Sequence, residues 1–159
     1  MNSKKNYISE FKSNNTDLKP LDNISYVKGS VSPPLIHSTI SNLLKKTVSR
    51  HGDRDAFVFP NQKLNYKEFD IMVDKLATGF LAIGLKKGER LGIWSPNRLE
   101  WVLTQFATAR IGVILVNINP AYRLSELEYS LIKVGCKALI LAKSFKSSRY
   151  LDMLLSLAP

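Results

Sequence analysis

The 159-residue sequence has a single cysteine, Cys136, and only two histidines, His37 and His51. One cysteine excludes a disulfide framework within the chain, as expected in a reducing compartment. Because the two histidines are isolated and lack a cysteine partner, the sequence offers no metal-ligand cluster, and we expect no metal site. Cys136 lies between Gly135 and Lys137, at the start of an apolar run, so we interpret it as a core thiol and not as a nucleophile.

Glycine-rich phosphate-binding motifs are also missing. The sequence contains no G-x-G-x-x-G after a strand, no G-x-x-x-x-G-K-[ST] and no G-x-S-x-G nucleophile elbow. Gly84, Gly88 and Gly92 recur every four residues, but they flank a charged turn and we interpret them as turn glycines. The longest apolar stretch, 107–118, is interrupted by an arginine and an asparagine, so we predict no transmembrane segment.

The charge is strongly unbalanced, with 23 lysines and arginines against 13 acids and a net charge of +10. Such an excess of positive charge is typical of proteins that bind nucleic acid or an anionic surface. The basic residues are nevertheless spread along the chain and do not alternate with aromatics, so we expect a generally basic surface and no nucleic-acid site. A non-enzymatic basic binding or regulatory module stays open as an alternative.

The N-terminal segment differs in composition from the rest of the chain. Residues 1–25 are rich in Asn, Ser and Lys, and they contain three acids and no arginine. A mitochondrial presequence is usually rich in arginine and poor in acids, and a signal peptide has an apolar centre. We therefore predict a mobile tail over residues 1–25 without a clear presequence.

Hydrophobic periodicity predicts a series of alternating elements from residue 38 onward. A helix starts at Ser38 or Thr39, with Ile40, Leu43, Leu44 and Val48 on one apolar face, and stops at Gly52. The remaining predicted elements are short strands at 56–59 and 63–65, a helix over 66–84, strands at 90–94, 113–116 and 137–142, and helices over 98–111, 125–135 and up to 159.

Capping boxes mark three predicted helix starts. In a capping box, the side chain before the helix accepts from the backbone N–H three residues later, and a Glu at that position accepts from the first residue's N–H. The three predicted boxes are Asn65 with Glu68, Asn97 with Glu100, and Ser125 with Glu128.

The alternation of strand and helix from Arg90 onward predicts parallel strands joined by crossover helices. The fold class is therefore α/β, with a layered parallel sheet whose strands at 113–116 and 137–142 are covered on both faces. Sites in such sheets lie beyond the carboxyl ends of the strands. Asn97 and Asn119 follow two of these ends and are either polar contacts of a site or turn and cap residues; the structural role is favoured.

Several long stretches together resemble the adenylate-forming enzymes. "LNYKEF" at 64–69 is similar to the first signature of these enzymes, and "ATARIGVILVNINPAY" at 107–122 is similar to the second. "GERLGIWSPNRLEWV" at 88–102 matches the strand, turn and helix between them. "SYVKGS" at 25–30 and "NPAYRLSELEYSLIKVGCKALI" at 119–140 resemble fatty acyl-CoA synthetases, especially the medium-chain type.

This resemblance implies an ATP-dependent ligase. In the family, a fatty acid carboxylate attacks ATP with Mg²⁺ to give an acyl-adenylate, and coenzyme A then displaces AMP to give a thioester. The resemblance implies that residues 26–159 are an incomplete part of the large N-terminal domain of this fold. It also implies a mitochondrial location, with the cytoplasm as the alternative.

The family's catalytic motifs match nothing in this sequence. We find no Ser/Thr/Gly-rich phosphate loop with its lysine, no ribose-binding aspartate and no catalytic lysine, so we assign no catalytic, cofactor-binding or metal residue. We expect the chain alone to be inactive, without bound ATP, Mg²⁺ or coenzyme A, and to self-associate through exposed apolar surface. A fragment of an aryl- or amino-acid-adenylating enzyme is an alternative.

Overall fold

A computed structural model describes residues 32–60 and 62–158 of the chain. The chain divides into two units, Met1–His37 and Ser38–Pro159, and all described helices and strands belong to the second. The predicted mobile tail at 1–25 lies outside the described residues. The elements are α1 (Ile40–His51), β1 (Asp55–Phe59), β2 (Gln62–Asn65), α2 (Tyr66–Ala82), β3 (Arg90–Trp94), α3 (Leu99–Ile111), β4 (Ile114–Ile118), α4 (Leu124–Val134), β5 (Cys136–Leu141) and α5 (Tyr150–Leu157).

The main sheet has three parallel strands in the order β4-β3-β5. The strand predicted over 90–94 is confirmed residue for residue as β3, and it lies in the centre of the sheet. β1 and β2 form a separate antiparallel hairpin. The parallel pairing confirms the predicted α/β fold class, because parallel neighbours need a crossover connection and each connection here contains a helix.

Side chains of the central strand point alternately to two helical layers. Leu91 belongs to a core that also contains residues of α1, α2 and α3. Trp94, on the opposite face, belongs to a second core with Leu127 of α4 and Tyr150 of α5. The sheet therefore separates α1–α3 from α4–α5. Within residues 32–60 and 62–158, none of the helices combines the length and hydropathy that a membrane crossing needs.

Helix α3 is covered on more than one side, as its nearly continuous apolar sequence predicts. Every residue from 101 to 112 is at least partly buried, and Leu103 and Ala107 belong to the core. Gly112 ends the helix in the left-handed conformation, with φ of 73°. The predicted stop at this glycine is confirmed, since a side chain would be strained there.

An ion-pair cluster joins α3 to α2. Arg110 donates to Asp70 at 2.6 Å and also to Asp74, and only 10% of the Arg110 side chain is exposed. Burial alone lowers the pKa of Arg110, but the hydrogen bonds and charges of the two carboxylates outweigh it and raise the pKa above its ordinary value. The guanidinium thus stays charged between the two helices, and the pairing offsets the cost of removing it from water.

The predicted start of α2 is confirmed. Asn65 Oδ1 accepts from the Glu68 N–H at 2.8 Å, and Glu68 Oε2 accepts from the Asn65 N–H at 2.9 Å. Both hydrogen bonds of the capping box are therefore present. Thr39, one of the two residues predicted to cap α1, accepts from the Asn42 N–H at 3.1 Å.

The other two predicted capping boxes are wrong. Helix α3 starts after Arg98, without a side-chain cap, and Glu100 pairs with Arg98 at 3.2 Å instead of capping at Asn97. Helix α4 starts earlier than predicted, and the carboxylate of Glu126 accepts from the Arg123 N–H at 3.0 Å.

The prediction that β4 and β5 are covered on both faces is confirmed for β5, where Ala138 and Ile140 pack against one core and Leu139 and Leu141 against the other, but β4 is covered less completely. Both are edge strands beside the central β3, and Ile114 of β4 is 52% exposed. The predicted apolar face of α1 is only partly buried: Leu44 is in the core, whereas Ile40 and Leu43 are exposed.

Two glycines provide a stability test with opposite expected signs. Gly112→Ala places a Cβ at positive φ and 2.9 Å from Lys87 Cγ, so we expect the free energy of unfolding to fall by about 1 kcal/mol or more. Gly79→Ala in α2 meets nothing within 4 Å, so we expect an increase of about 0.5–1 kcal/mol. Urea unfolding followed by circular dichroism measures both; a stabilised Gly112→Ala variant would contradict the left-handed helix end.

Candidate functional site

A site is expected at the carboxyl edge of the sheet, and the strand order indicates where along this edge the site lies. The chain passes from β3 to β4 on one side and then to β5 on the other side of β3. The direction of winding therefore reverses between β3 and β5. In open α/β sheets, ligands bind in the crevice that this reversal leaves beyond the strand ends.

A cleft of about 270 Å³ lies at this position, between the ends of β3 and β5 and the start of α3. Ser95 in its wall is 7% exposed, and its hydroxyl donates to the Pro96 carbonyl at 3.0 Å. Arg98 pairs with Glu100 in the same wall, and Lys143 adds a second cation. The cleft is chemically able to hold a small anionic group, but it contains no histidine or cysteine that could act as base or nucleophile.

The described residues do not fit a complete ATP–Mg²⁺ site. No group of three or more His, Cys, Asp or Glu side chains gathers anywhere in residues 32–60 and 62–158. The single carboxylate of the cleft, Glu100, is already paired with Arg98. Phosphate binding needs converging donors such as a glycine-rich loop, and the cleft at 270 Å³ is smaller than most cofactor pockets. We therefore derive no reaction step at this cleft.

The turn after β4 is held from two sides by aromatic residues. Trp94 Nε1 donates to the Asn119 carbonyl at 3.1 Å, and the Tyr150 hydroxyl donates to the Pro120 carbonyl. The two rings stack with centroids 3.8 Å apart and planes at 14°, and both side chains are fully buried. Asn119 Oδ1 accepts from the Ala121 N–H at 2.9 Å, which closes the turn. The structural role favoured for Asn119 is confirmed.

Periodicity predicts a strand at 90–94 and a helix that ends at 159, which contain Trp94 and Tyr150, but it does not indicate that the two side chains meet. Aromatic residues with a polar tip usually find a hydrogen-bond partner when they are buried. That tendency was the available signal, but the sequence does not show that the two residues meet.

An apolar groove lies on the opposite side of α3. It consists of two adjoining cavities of about 540 and 360 Å³ that share Phe59, Asn97, Arg98 and Leu99. Asn97 therefore lines this groove and does not cap α3. One signal for the groove is present in the sequence, because Phe57 and Phe59 alternate in β1 and so lie on the same face of that strand.

Cys136 is half-buried at the start of β5. Burial raises the pKa of its thiol, and the nearby positive charge of Arg90 only partly opposes this shift. A raised pKa leaves less thiolate at neutral pH, and the thiolate is the reactive form. The predicted core position of Cys136 is thus met only in part, because the side chain is half-buried and belongs to neither core cluster.

The Tyr150 hydroxyl can be removed without removing the ring. We expect Tyr150→Phe to lower the free energy of unfolding by about 1 kcal/mol, because the half-buried Pro120 carbonyl loses its donor while the stacking on Trp94 is kept. Urea unfolding measures the change. Tyr129→Phe on the exposed surface is the matched control and should change nothing; equal stability of the Tyr150→Phe variant and the unsubstituted chain would contradict the role of this hydrogen bond.

The raised pKa of Cys136 predicts slow alkylation. At pH 8, we expect iodoacetamide to react with the folded chain at least several-fold more slowly than with the urea-unfolded chain, because burial disfavours the thiolate. The alkylation rate of the folded chain should still increase with pH at values where the rate of the unfolded chain has already levelled off, because the thiol of the folded chain has the higher pKa. Mass spectrometry follows the alkylation, and a folded-state rate above the unfolded rate would show an activated thiol instead.

Comparison with known proteins bears on the same region. The family model described as AMP-binding enzyme matches residues 44–158. The mitochondrial medium-chain acyl-CoA ligase ACSF2 of Mus musculus is 46% identical over 148 residues, which are 92% of this chain and 24% of that protein. The ligase of the same name from Danio rerio is 51% identical over 137 residues, 85% of this chain and 23% of that protein.

Solved structures agree on the fold. A proposed long-chain-fatty-acid CoA ligase of Rhodopseudomonas palustris matches with a TM-score of 0.70 and 24% identity, over 77% of this chain and 30% of that chain. This likeness shows the fold alone. The chain spans about a quarter of the length of the curated relatives that it matches. Because the family model covers more than half of the chain, and relatives above 40% identity cover most of it, the chain belongs to the family of AMP-binding enzymes.

Proposed function

We propose that this chain is the N-terminal part of an ATP-dependent fatty acid–CoA ligase that acts on medium-chain fatty acids in mitochondria. The observation that carries the proposal is the identity of 46% and 51% to two ligases of that description over most of the chain. The parallel sheet and its carboxyl edge support it, because they are the kind of scaffold on which α/β enzymes place ligands.

The whole protein would use a fatty acid, ATP, Mg²⁺ and coenzyme A. The fatty acid carboxylate attacks the α-phosphate of ATP, so that pyrophosphate leaves and an acyl-adenylate forms. The thiol of coenzyme A then attacks the acyl carbon, and AMP leaves as the thioester forms. No residue of this chain is assigned to either step.

This chain would contribute part of the structural scaffold of the ligase. Trp94 and Tyr150 hold the turn at Asn119 and Pro120, and the ion pairs of Arg110 hold α3 against α2. The aromatic pair holds the carboxyl edge of the sheet, against which the remaining parts of a ligase would pack, and the Arg110 ion pairs hold the helical layer near the end of α3. We propose that residues 26–159 form part of the larger N-terminal domain, that residues 1–25 are a tail, and that the isolated chain does not ligate.

A chimaeric ligase tests this function. Residues 26–158 of this chain replace the matching segment of the Danio rerio ligase, and acyl-CoA formation and AMP release are measured with octanoate, benzoate, ATP and coenzyme A. We expect turnover with octanoate within about tenfold of the unsubstituted ligase, since the segment supplies scaffold and not catalytic groups.

The isolated chain and the unsubstituted Danio rerio ligase are the controls in the same assay. We expect no turnover by the isolated chain, and turnover by it would refute the assignment of a purely structural role. A folded chimaera that accepts benzoate and not octanoate would favour the aryl-acid alternative. A folded chimaera that binds substrates without turnover of any acid would contradict the proposed family role of the segment.

A further inference from the structure

Two turns leave the carboxyl edge of the sheet in opposite directions, beside β3 on the side of β4. These two strands are parallel neighbours and end at the same level, with Trp94 opposite Ile118. The turn after β3 leads to α3, which packs on one face of the sheet, and the turn after β4 leads to α4, which packs on the other. In open α/β sheets, a ligand binds in the crevice between two such turns. The turns at 95–98 and 119–123 are therefore two walls of a crevice.

The wall after β4 is held by both local and distant hydrogen bonds. Within the turn, the Ala121 N–H donates to Asn119 Oδ1 at 2.9 Å. Trp94 Nε1, at the end of β3, donates to the Asn119 carbonyl at 3.1 Å. The Tyr150 hydroxyl donates to the next carbonyl, that of Pro120, from the first residue of α5. Tyr150 thus fixes the direction of a carbonyl that neither of the other two bonds contacts.

The same turn combines a fixed backbone with exposed side chains. Residues 121–123 are all exposed, so their side chains are free to contact a molecule in the crevice. Arg123, whose guanidinium donates to the uncharged Ser148 hydroxyl at 2.7 Å, adds a positive charge to this wall. Arg98 in the opposite wall is also exposed, although it pairs with Glu100. Arginines favour carboxylate and phosphate groups, so the crevice suits an anionic substrate.

We propose, on the basis of the function proposed above, that Tyr150 is a positioning residue of the ligase, whose hydroxyl holds this wall in the shape that binds an anionic substrate. Groups that contact a substrate need support from residues whose own side chains are locked by packing. Tyr150 meets this need, because its ring is fully buried and stacked on Trp94. Without the hydroxyl, the half-buried Pro120 carbonyl can turn towards water. The substrate then has to order the turn when it binds, which weakens binding.

Steady-state kinetics of the chimaeric ligase test this role. KM and kcat are measured for octanoate, ATP and coenzyme A in turn, all of which are anionic. We expect Tyr150→Phe to raise the KM of the substrate that binds in the crevice by about threefold to tenfold, the effect of one lost hydrogen bond, and to change kcat by less than about twofold. A loss of folded enzyme alone would lower the apparent kcat and leave every KM unchanged, so a merely structural role gives a different result.

Two further variants of the chimaera are matched controls. Tyr129→Phe removes an exposed hydroxyl, and Gly112→Ala lowers stability at the opposite edge of the sheet, so neither should change any KM. An active chimaera whose three KM values are unchanged by Tyr150→Phe would overturn the positioning role alone. An equal rise of KM in Gly112→Ala would also overturn it, because the effect would then follow stability. Absence of turnover by the folded, unsubstituted chimaera would overturn the proposed function, and the positioning role with it.

Discussion

Burial of β3 on both faces and along both edges is the constraint on which the rest of the structure depends. Leu91, Ile93 and Trp94 are 1% exposed or less, and the strand pairs with both β4 and β5, with one register shift in the β5 pairing between Arg90 and Leu91. Burying each such side chain stabilises the folded state by about 1.5–3 kcal/mol. To be buried in this way, β3 needs helices on both faces and a strand on each side. Helices α1–α3 cover one face, α4 and α5 cover the other, and β4 and β5 pair with its two edges.

Different interactions hold the two helical layers. The layer of α1, α2 and α3 packs on β3 through apolar side chains, and Arg110 of α3 pairs with two carboxylates of α2, whose charges raise the pKa of the guanidinium despite its burial. On the α5 side, stacked aromatic rings carry hydrogen bonds to two successive carbonyls of the turn after β4. The second arrangement acts directly at the carboxyl edge. It holds the turn after β4 in place through one ring stack and two hydrogen bonds.

The accuracy of the sequence-based predictions followed how local each signal was. The capping box at Asn65 is confirmed because both of its bonds lie within four consecutive residues. The boxes predicted at Asn97 and Ser125 are wrong because α3 begins after Arg98 and α4 after Arg123, so neither predicted residue stands directly before its helix. The cover predicted for β4 is incomplete, because composition shows that a strand is apolar but not how completely the helices cover its faces; Ile114 is 52% exposed.

The sequence by itself determined the order of strands and helices, the parallel α/β class, the ends of helices at glycines such as Gly112, and the likeness to AMP-binding enzymes. Periodicity and turn residues act over a few positions, so they can be read from the chain directly. Only the tertiary structure decided that β3 is central, that the winding reverses between β3 and β5, and that Trp94 meets Tyr150. These features depend on contacts between residues far apart in the chain, where the free energy of burial and not local conformational preference selects the arrangement.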